Sequence, residues 1–303
     1  MKRVLVCGSN GLVGQRLALL FGQSTEYEVL HTSHHRNFHL DRELFDYTQL
    51  DVTSRSDVKS LVTSYRPDII VNTAAVTSVD DCENQRENAW RVNVDGVENL
   101  TDASRLIGAR MIHLSTDYVF DGKNGPYRED DRVNPINYYG KTKLAGENAV
   151  ITSGVPSAIL RVILVYGTGI NLKNNFATWV INSLRSGRKI RCAEDQVSNP
   201  TYVGSVADAV LGAIEHESRG IFHICGADRV SRYDFAMKIA EAFGLDKELI
   251  GKIRLAELNQ TAPRPLSTGF VTKKACGEFG FDPVSIESGL EAMRRDFHFF
   301  TRN

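Results

Sequence analysis

Tyr139 and Lys143 stand four residues apart in Asn137-Tyr138-Tyr139-Gly140-Lys141-Thr142-Lys143, so on a helix they share one face. A free phenol titrates near 10, too high to exchange protons readily at neutral pH. An ammonium one helical turn away favours the phenolate and draws that pKa toward the working range, which lets the phenol protonate a carbonyl oxygen. Tyr138 competes for the role, but its partner four residues on is the uncharged Thr142. A second group for the same oxygen stands in Leu114-Ser115-Thr116-Asp117, where a hydroxyl at a strand end can donate a hydrogen bond. Ser115 and Thr116 alternate across the pleat, and Thr116 is taken as the one facing the site, with Asp117 beside the substrate.

Reduction of a carbonyl also needs a hydride donor, and Gly8-Ser9-Asn10-Gly11-Leu12-Val13-Gly14 provides for one. It follows a short apolar run and opens an amphipathic stretch, the setting in which a glycine-rich turn cradles a dinucleotide pyrophosphate at a helix N-terminus. Gly8, Asn10, Gly11, Leu12 and Gly14 are the expected contacts. An NAD site usually carries an acid after the second strand to hold the ribose. Here the chain reads Leu30-His31-Thr32-Ser33-His34-His35-Arg36, without one. Ser33, His34 and Arg36 suit a ribose 2′-phosphate, so NADP is favoured and NAD is the alternative. Asp51 and Val52 are placed against the adenine, and Ala74 and Ala75 where backbone passes close to the cofactor. The three histidines are not read as a metal site, because a strand running into a loop scatters them and no Cys or acid joins them at ligand spacing.

The elements that must hold these groups alternate. Apolar runs at 3–8, 28–32, 68–72, 111–115 and 158–165 read as buried strands, with helical periodicity at 12–21, 55–64 and 84–107. That order implies right-handed βαβ units. The fold class is α/β, a doubly wound parallel Rossmann sheet with a smaller C-terminal substrate-binding lobe. Residues 1–165 form the dinucleotide-binding domain, with 205–225 returning to it, and 166–204 and 226–303 form the lobe. Helical patterns recur at 175–185, 205–216 and 231–243, and a strand at 222–225. Ile286, Leu290, Met293 and Phe297 mark a last amphipathic helix, with Ser285 as its N-cap.

Composition narrows the function classes. The 303 residues carry 36 Lys+Arg against 37 Asp+Glu, for a net charge of -1. A protein that coats nucleic acid or an anionic membrane needs a basic excess, so neither is an expected partner. No apolar run approaches the roughly 18 residues of a membrane span. Cysteines at 7, 82, 192, 225 and 276 form no CxxC pair, which reads as reduced thiols in the cytoplasm.

The chain resembles the extended short-chain dehydrogenase/reductases that act on nucleotide sugars, nearest to the dTDP-4-dehydrorhamnose reductase family. Four segments carry the resemblance: Ser115-Thr116-Asp117-Tyr118-Val119-Phe120-Asp121-Gly122, Pro126-Tyr127-Arg128-Glu129, Pro135 through Glu147, and Ala262-Pro263-Arg264-Pro265-Leu266-Ser267. It implies a catalytic triad of Thr116, Tyr139 and Lys143, a nucleotide-sugar substrate reduced at a 4-keto group, and a homodimer. Related dehydratases place Asp-Glu after the threonine, whereas Asp117 is followed by Tyr118. Epimerases usually carry the missing acid after the second strand. GDP-fucose synthases rely on a Cys and a His, for which Cys192 and a strand-buried His113 are poor counterparts. The beta subunit of methionine adenosyltransferase shares the cofactor site as a non-catalytic module and is the alternative of a different class. For the nucleotide diphosphate, Asn174, Asn175 and Arg264 are the candidates. Arg161, inside an apolar strand, is read as a structural salt bridge.

Overall fold

A computed structural model describes residues 1–300; residues 301–303, which the expected lobe includes, lie outside the described residues. The first half runs β1 (Lys2–Cys7), α1 (Leu12–Phe21), β2 (Tyr27–Ser33), β3 (Tyr47–Gln49), α2 (Arg55–Tyr65), β4 (Ile69–Asn72), α3 (Val79–Asn84), α4 (Arg86–Trp90), α5 (Gly96–Ile107), β5 (Arg110–Thr116), α6 (Tyr138–Thr152) and β6 (Ser157–Val162). The second half runs β7 (Val165–Tyr166), α7 (Phe176–Arg185), β8 (Ile190–Ala193), β9 (Val197–Ser198), β10 (Thr201–Tyr202), α8 (Val203–Glu215), β11 (Gly220–Ile224), β12 (Val230–Ser231), α9 (Arg232–Phe243), β13 (Ile250–Ile253), α10 (Lys273–Phe279) and α11 (Ile286–Phe300).

Seven strands form one sheet in the order β11-β6-β5-β4-β1-β2-β3, and every pairing in it is parallel. The chain builds outward from β1 to β3, then crosses back to β4. That reversal opens a crevice at the carboxyl ends of β1 and β4, where sheets of this kind take ligands. Alternating side chains explain why the strands read as unbroken apolar runs. Val4 and Val6 pack with Leu17 and Phe21 of α1 and Val206 and Val210 of α8. Leu5 and Cys7 point the other way, onto Val58 and Val62 of α2 and Val97 and Leu100 of α5.

Two expected elements differ. The helix read over 84–107 starts at Arg86, after α3 ends at Asn84, and runs through α4, a π-helical turn at Arg91–Asp95 and α5. In that turn buried Asn93 uses its amide to accept from Val76 N at 2.9 Å and to donate to Val76 O and Thr142 Oγ1, both at 3.0 Å. The strand read over 158–165 ends at Val162, and Leu164 turns into left-handed backbone at φ 37°. Beyond it Val165 and Tyr166 pair instead with Thr201 and Tyr202.

A second body of apolar side chains lies off the sheet, where Val180 and Ile181 of α7, Phe235 and Ile239 of α9 and Leu290 and Met293 of α11 pack around Tyr166. Ser285 Oγ accepts from Ser288 N at 3.2 Å at the head of α11, the cap read from the sequence. Ala275 and Phe279 of α10, by contrast, pack into the sheet's own cluster.

Helix α6, which carries Tyr139 and Lys143, is fastened to β6 by a buried ion pair. Arg161 Nε and an Nη donate to the two oxygens of Glu147 at 2.9 and 2.7 Å, with side chains 3% and 1% exposed. The guanidinium also sits 5.2 Å from the centre of the Phe120 ring. Removing one partner strands a buried charge. Glu147→Ala is therefore expected to cost about 3–5 kcal/mol in urea unfolding, and the double variant Glu147→Leu/Arg161→Leu to recover most of that loss.

Candidate active site

The glycine-rich turn fits a dinucleotide diphosphate. Gly8 leaves β1 at φ +87°, and a Cβ there would stand 2.6 Å from Ala74 N. A Cβ on Gly14 would stand 2.5 Å from Gly8 O, so α1 rests directly on the turn. Gly11 occupies the N-cap of α1, and no side chain caps that helix. Its first-turn N–H groups and the positive end of its dipole are thus available to an anion.

The residues around the turn divide into framework and lining. Asn10 Nδ2 donates to Ser33 Oγ and Asn37 O, both at 2.9 Å, and its Oδ1 accepts from His39 N at 2.9 Å. Ser33 Oγ also bonds the Tyr47 hydroxyl at 2.8 Å. Both side chains are buried and already satisfied, so they fix the loop after β2 rather than present free groups. His34 and Arg36 are exposed on that loop, where the His34 and His35 rings lie 3.8 Å apart. The Asp51 carboxylate is exposed and accepts from Thr53 N and Thr53 Oγ1 at 2.9 and 2.8 Å, holding the turn before α2. Val52 is buried, Leu12, Ala74 and Ala75 are half-buried, and Ala74 N donates to Asn72 Oδ1 at 3.0 Å.

Thr116, Tyr139 and Lys143 meet where β5 ends and α6 begins. Asn137 caps α6 by accepting from Gly140 N at 2.8 Å, and its Nδ2 donates to Pro263 O at 2.9 Å. Tyr139 and Lys143 face the sheet, and Lys143 Nζ donates to Leu114 O at 2.7 Å. The Thr116 hydroxyl lies beside the Tyr139 phenol. Ser115 Oγ, on the opposite face of the strand, is buried without a partner among the described residues.

The electrostatics correct one expectation. Burial pushes the Tyr139 phenol well above its ordinary value, with the nearby Thr116 hydroxyl acting against it. Burial also pulls the Lys143 ammonium down to about 8, opposed by Glu147. Lys143 therefore does not bring the phenol near neutrality, because both groups are out of water and its bond goes to the Leu114 carbonyl. At neutral pH Tyr139 is the protonated phenol, the form a proton donor needs.

Three residues expected at the substrate are occupied elsewhere. Arg264 spends its fork on Asp80 of α3, at 2.6 and 2.7 Å, and donates to Ala262 O at 2.6 Å. Asn175 is the N-cap of α7, accepting from Ala177 N and Thr178 N at 3.1 and 3.2 Å. Asp117 is only 4% exposed and lies beneath the site, its oxygens taken by Thr116 and by Thr268 Oγ1 at 2.8 Å. Asn174 is exposed beside Asn182, whose Nδ2 donates to it at 3.1 Å. The sequence also missed a group: Arg232, the first residue of α9, faces both Tyr118 and Asp117. Nothing in its surroundings marks it, because it opens a helix that reads only as amphipathic.

The family model described as the RmlD substrate binding domain matches residues 1–299. The chain belongs to that family. This RmlD-family chain is 33% identical over 306 residues to a dTDP-4-dehydrorhamnose reductase of Aggregatibacter actinomycetemcomitans, which covers 97% of it and 99% of the relative. It is 34% identical over 270 residues to the beta subunit of methionine adenosyltransferase 2 of Xenopus tropicalis, covering 87% of this chain and 78% of that one. Its fold superposes at a TM-score of 0.84 on a dTDP-4-dehydrorhamnose reductase of Bacillus anthracis crystallised with NADP, at 30% identity and covering 98% and 100% of the two chains.

Asp117 gives the site a stability signature. Burial raises its carboxyl from 3.8 to about 6, so between those values the folded chain holds a proton that the unfolded chain has lost. Its contribution is full at low pH and falls as pH rises through about 6. Asp117→Asn should therefore gain about 2 kcal/mol on the unmutated protein between pH 4 and pH 7 in urea unfolding. An unchanged difference would contradict the buried carboxyl.

Proposed function

We propose that this chain is an NAD(P)H-dependent reductase of the 4-keto group of a nucleotide-linked 4-keto-6-deoxy sugar. The observation that carries the reading is the convergence of Thr116, Tyr139 and Lys143 at the carboxyl end of β5, beside a glycine turn built to approach phosphates. The likeness to reductases along almost the whole chain supports it.

A bound reduced dinucleotide would supply the hydride. The N-terminal turn of α1 holds its diphosphate, and Gly8 and Gly14 keep the backbone bare of Cβ atoms there. Tyr139 protonates the substrate oxygen, and Thr116 orients that oxygen by hydrogen bonding. Lys143, with one N–H on Leu114 O, has two more for a ribose hydroxyl, and that hold weakens as pH rises through about 8. We favour NADP over NAD, because His34 and Arg36 stand exposed on the loop after β2 and no acid directly follows that strand in the sequence. Residues 1–165 with 205–225 serve the dinucleotide. Residues 166–204 and 226–303 serve the sugar nucleotide, with Arg232 in place of Arg264 as the cationic contact.

Incubation with a panel of 4-keto sugar nucleotides and each reduced cofactor, followed at the nicotinamide absorbance, tests the reading. Tyr139→Phe keeps the ring and loses the proton, so kcat should fall about 10²–10⁴-fold, or ~3–5.5 kcal/mol of barrier, with cofactor affinity retained. Near-full activity would remove Tyr139 from the role. A non-catalytic regulatory subunit is the second reading, carried by the 34% identity to the adenosyltransferase beta subunit. It requires cofactor binding with no turnover on the panel.

A further inference from the structure

Gln15, the fourth residue of α1, is only 1% exposed and spends its side-chain amide on two separate loops. Its Nε2 donates to Asn10 O in the glycine turn at 3.1 Å and to Ile170 O at 2.8 Å. Its Oε1 accepts from Ile170 N at 2.9 Å. Both amide protons and the oxygen are therefore in use. The two bonds to Ile170 form a fork that holds that residue's backbone as a paired strand would. The fit is close: a Cβ on Gly169 would stand 2.6 Å from Gln15 Oε1 and 2.8 Å from Leu172 Cδ1.

Ile170 lies in segment 167–172, which leaves β7 for the lobe. Its side chain packs against Phe38 and Leu40, on the loop after β2 that also carries His34 and Arg36. Asn10 ties that loop to the glycine turn, accepting from His39 N and donating to Asn37 O, both at 2.9 Å. The segment thus reaches the turn through Gln15 and the loop through Ile170. Its own start is anchored in the lobe, where Asn175 Nδ2 at the head of α7 donates to Gly167 O at 2.8 Å.

We propose that Gln15 is a positioning residue that makes segment 167–172 a support of the dinucleotide site, so that cofactor binding and the seating of this segment favour one another. The proposal rests on the reductase reading for its ligand, a dinucleotide whose diphosphate lies on the glycine turn. With the segment seated, the turn and the loop after β2 are both braced before the ligand arrives. With it lifted, Ile170 and Asn10 lose the Gln15 amide, and the ligand has to order both stretches itself. Linkage makes the effect reciprocal: whatever factor the seated segment adds to cofactor affinity, the cofactor adds to the seating. Arg16, next along α1, holds the lobe independently through Asp296 of α11 at 3.2 Å. Loss of the Gln15 contacts therefore frees the segment without detaching α11.

NADPH alone is the probe. Gly169→Ala pushes a Cβ against the Gln15 amide from the lobe side and alters no residue of the glycine turn. Its Kd for NADPH, measured by fluorescence titration, should rise about fivefold or more. A segment that serves only the sugar nucleotide would leave that Kd unchanged. Gln15→Ala should weaken NADPH at least as much. The second readout is tryptic cleavage after Lys173, which is exposed just beyond the segment, so the rate follows the lifted population. Saturating NADPH should slow that cleavage about fivefold or more in the unmutated protein and scarcely at all in Gly169→Ala. An unchanged Kd in Gly169→Ala, or equal protection of Lys173 in the variant and the unmutated protein, overturns the proposal and leaves the reductase reading standing. Weakened NADPH binding and lost protection, with no turnover of the sugar-nucleotide panel by the unmutated protein, sustain the proposal while that reading fails.

Discussion

The hydrogen bond from Lys143 Nζ to Leu114 O, 2.7 Å long and out of water, is the constraint on which the site depends. A buried ammonium must find an acceptor, and here it finds the backbone of the central strand. That fixes how far α6 sits along β5, and so puts the Tyr139 phenol against Thr116 at the strand's last residue. Other contacts hold the same register: Glu147 to Arg161 at the far end of the helix, Asn137 to Pro263 at its start, and Asn93 to Thr142 on its flank. Three separate segments of chain meet on one helix, so the catalytic geometry is a property of the whole sheet edge rather than of the motif alone.

Much of this was legible because local chemistry and global architecture agree. Helix α1 spans the residues its periodicity marked, and the absence of polar alternation in β1 correctly signalled burial on both faces. The pairing of Tyr139 with Lys143 followed from helical spacing. What the spacing could not supply was the environment. From the sequence, Lys143 looks like the group that tunes Tyr139; in the fold, burial dominates both, and the lysine's own partner is a carbonyl no motif names.

The residues found with other partners share a cause. Arg264 and Asn175 are residue types that bind phosphates, but the same donors and acceptors also close a fold, and which use wins is decided by a partner far along the chain. Asp80 is 184 residues from Arg264. The Gly167 carbonyl that takes the Asn175 amide lies just before a helix start that the sequence read only for its periodicity. Arg232 shows the converse. It faces Tyr118 and Asp117 because α9 packs where the apolar body off the sheet places it. The π-helical turn is of the same kind, since its Asn93 satisfies a loop and a neighbouring helix at once.

The central claim, that these residues deliver a proton to an oxygen whose carbon receives hydride, is tested most directly with NADPH deuterated on the transferring face of the nicotinamide. In ordinary water with a 4-keto-6-deoxy sugar nucleotide, the account predicts a product carrying one deuterium at C4 of the sugar and no carbon-bound label elsewhere. Consumption without deuterium at C4, carbon-bound hydrogen drawn from solvent at C3 or C5 instead, or tight cofactor binding with no transfer at all would contradict it.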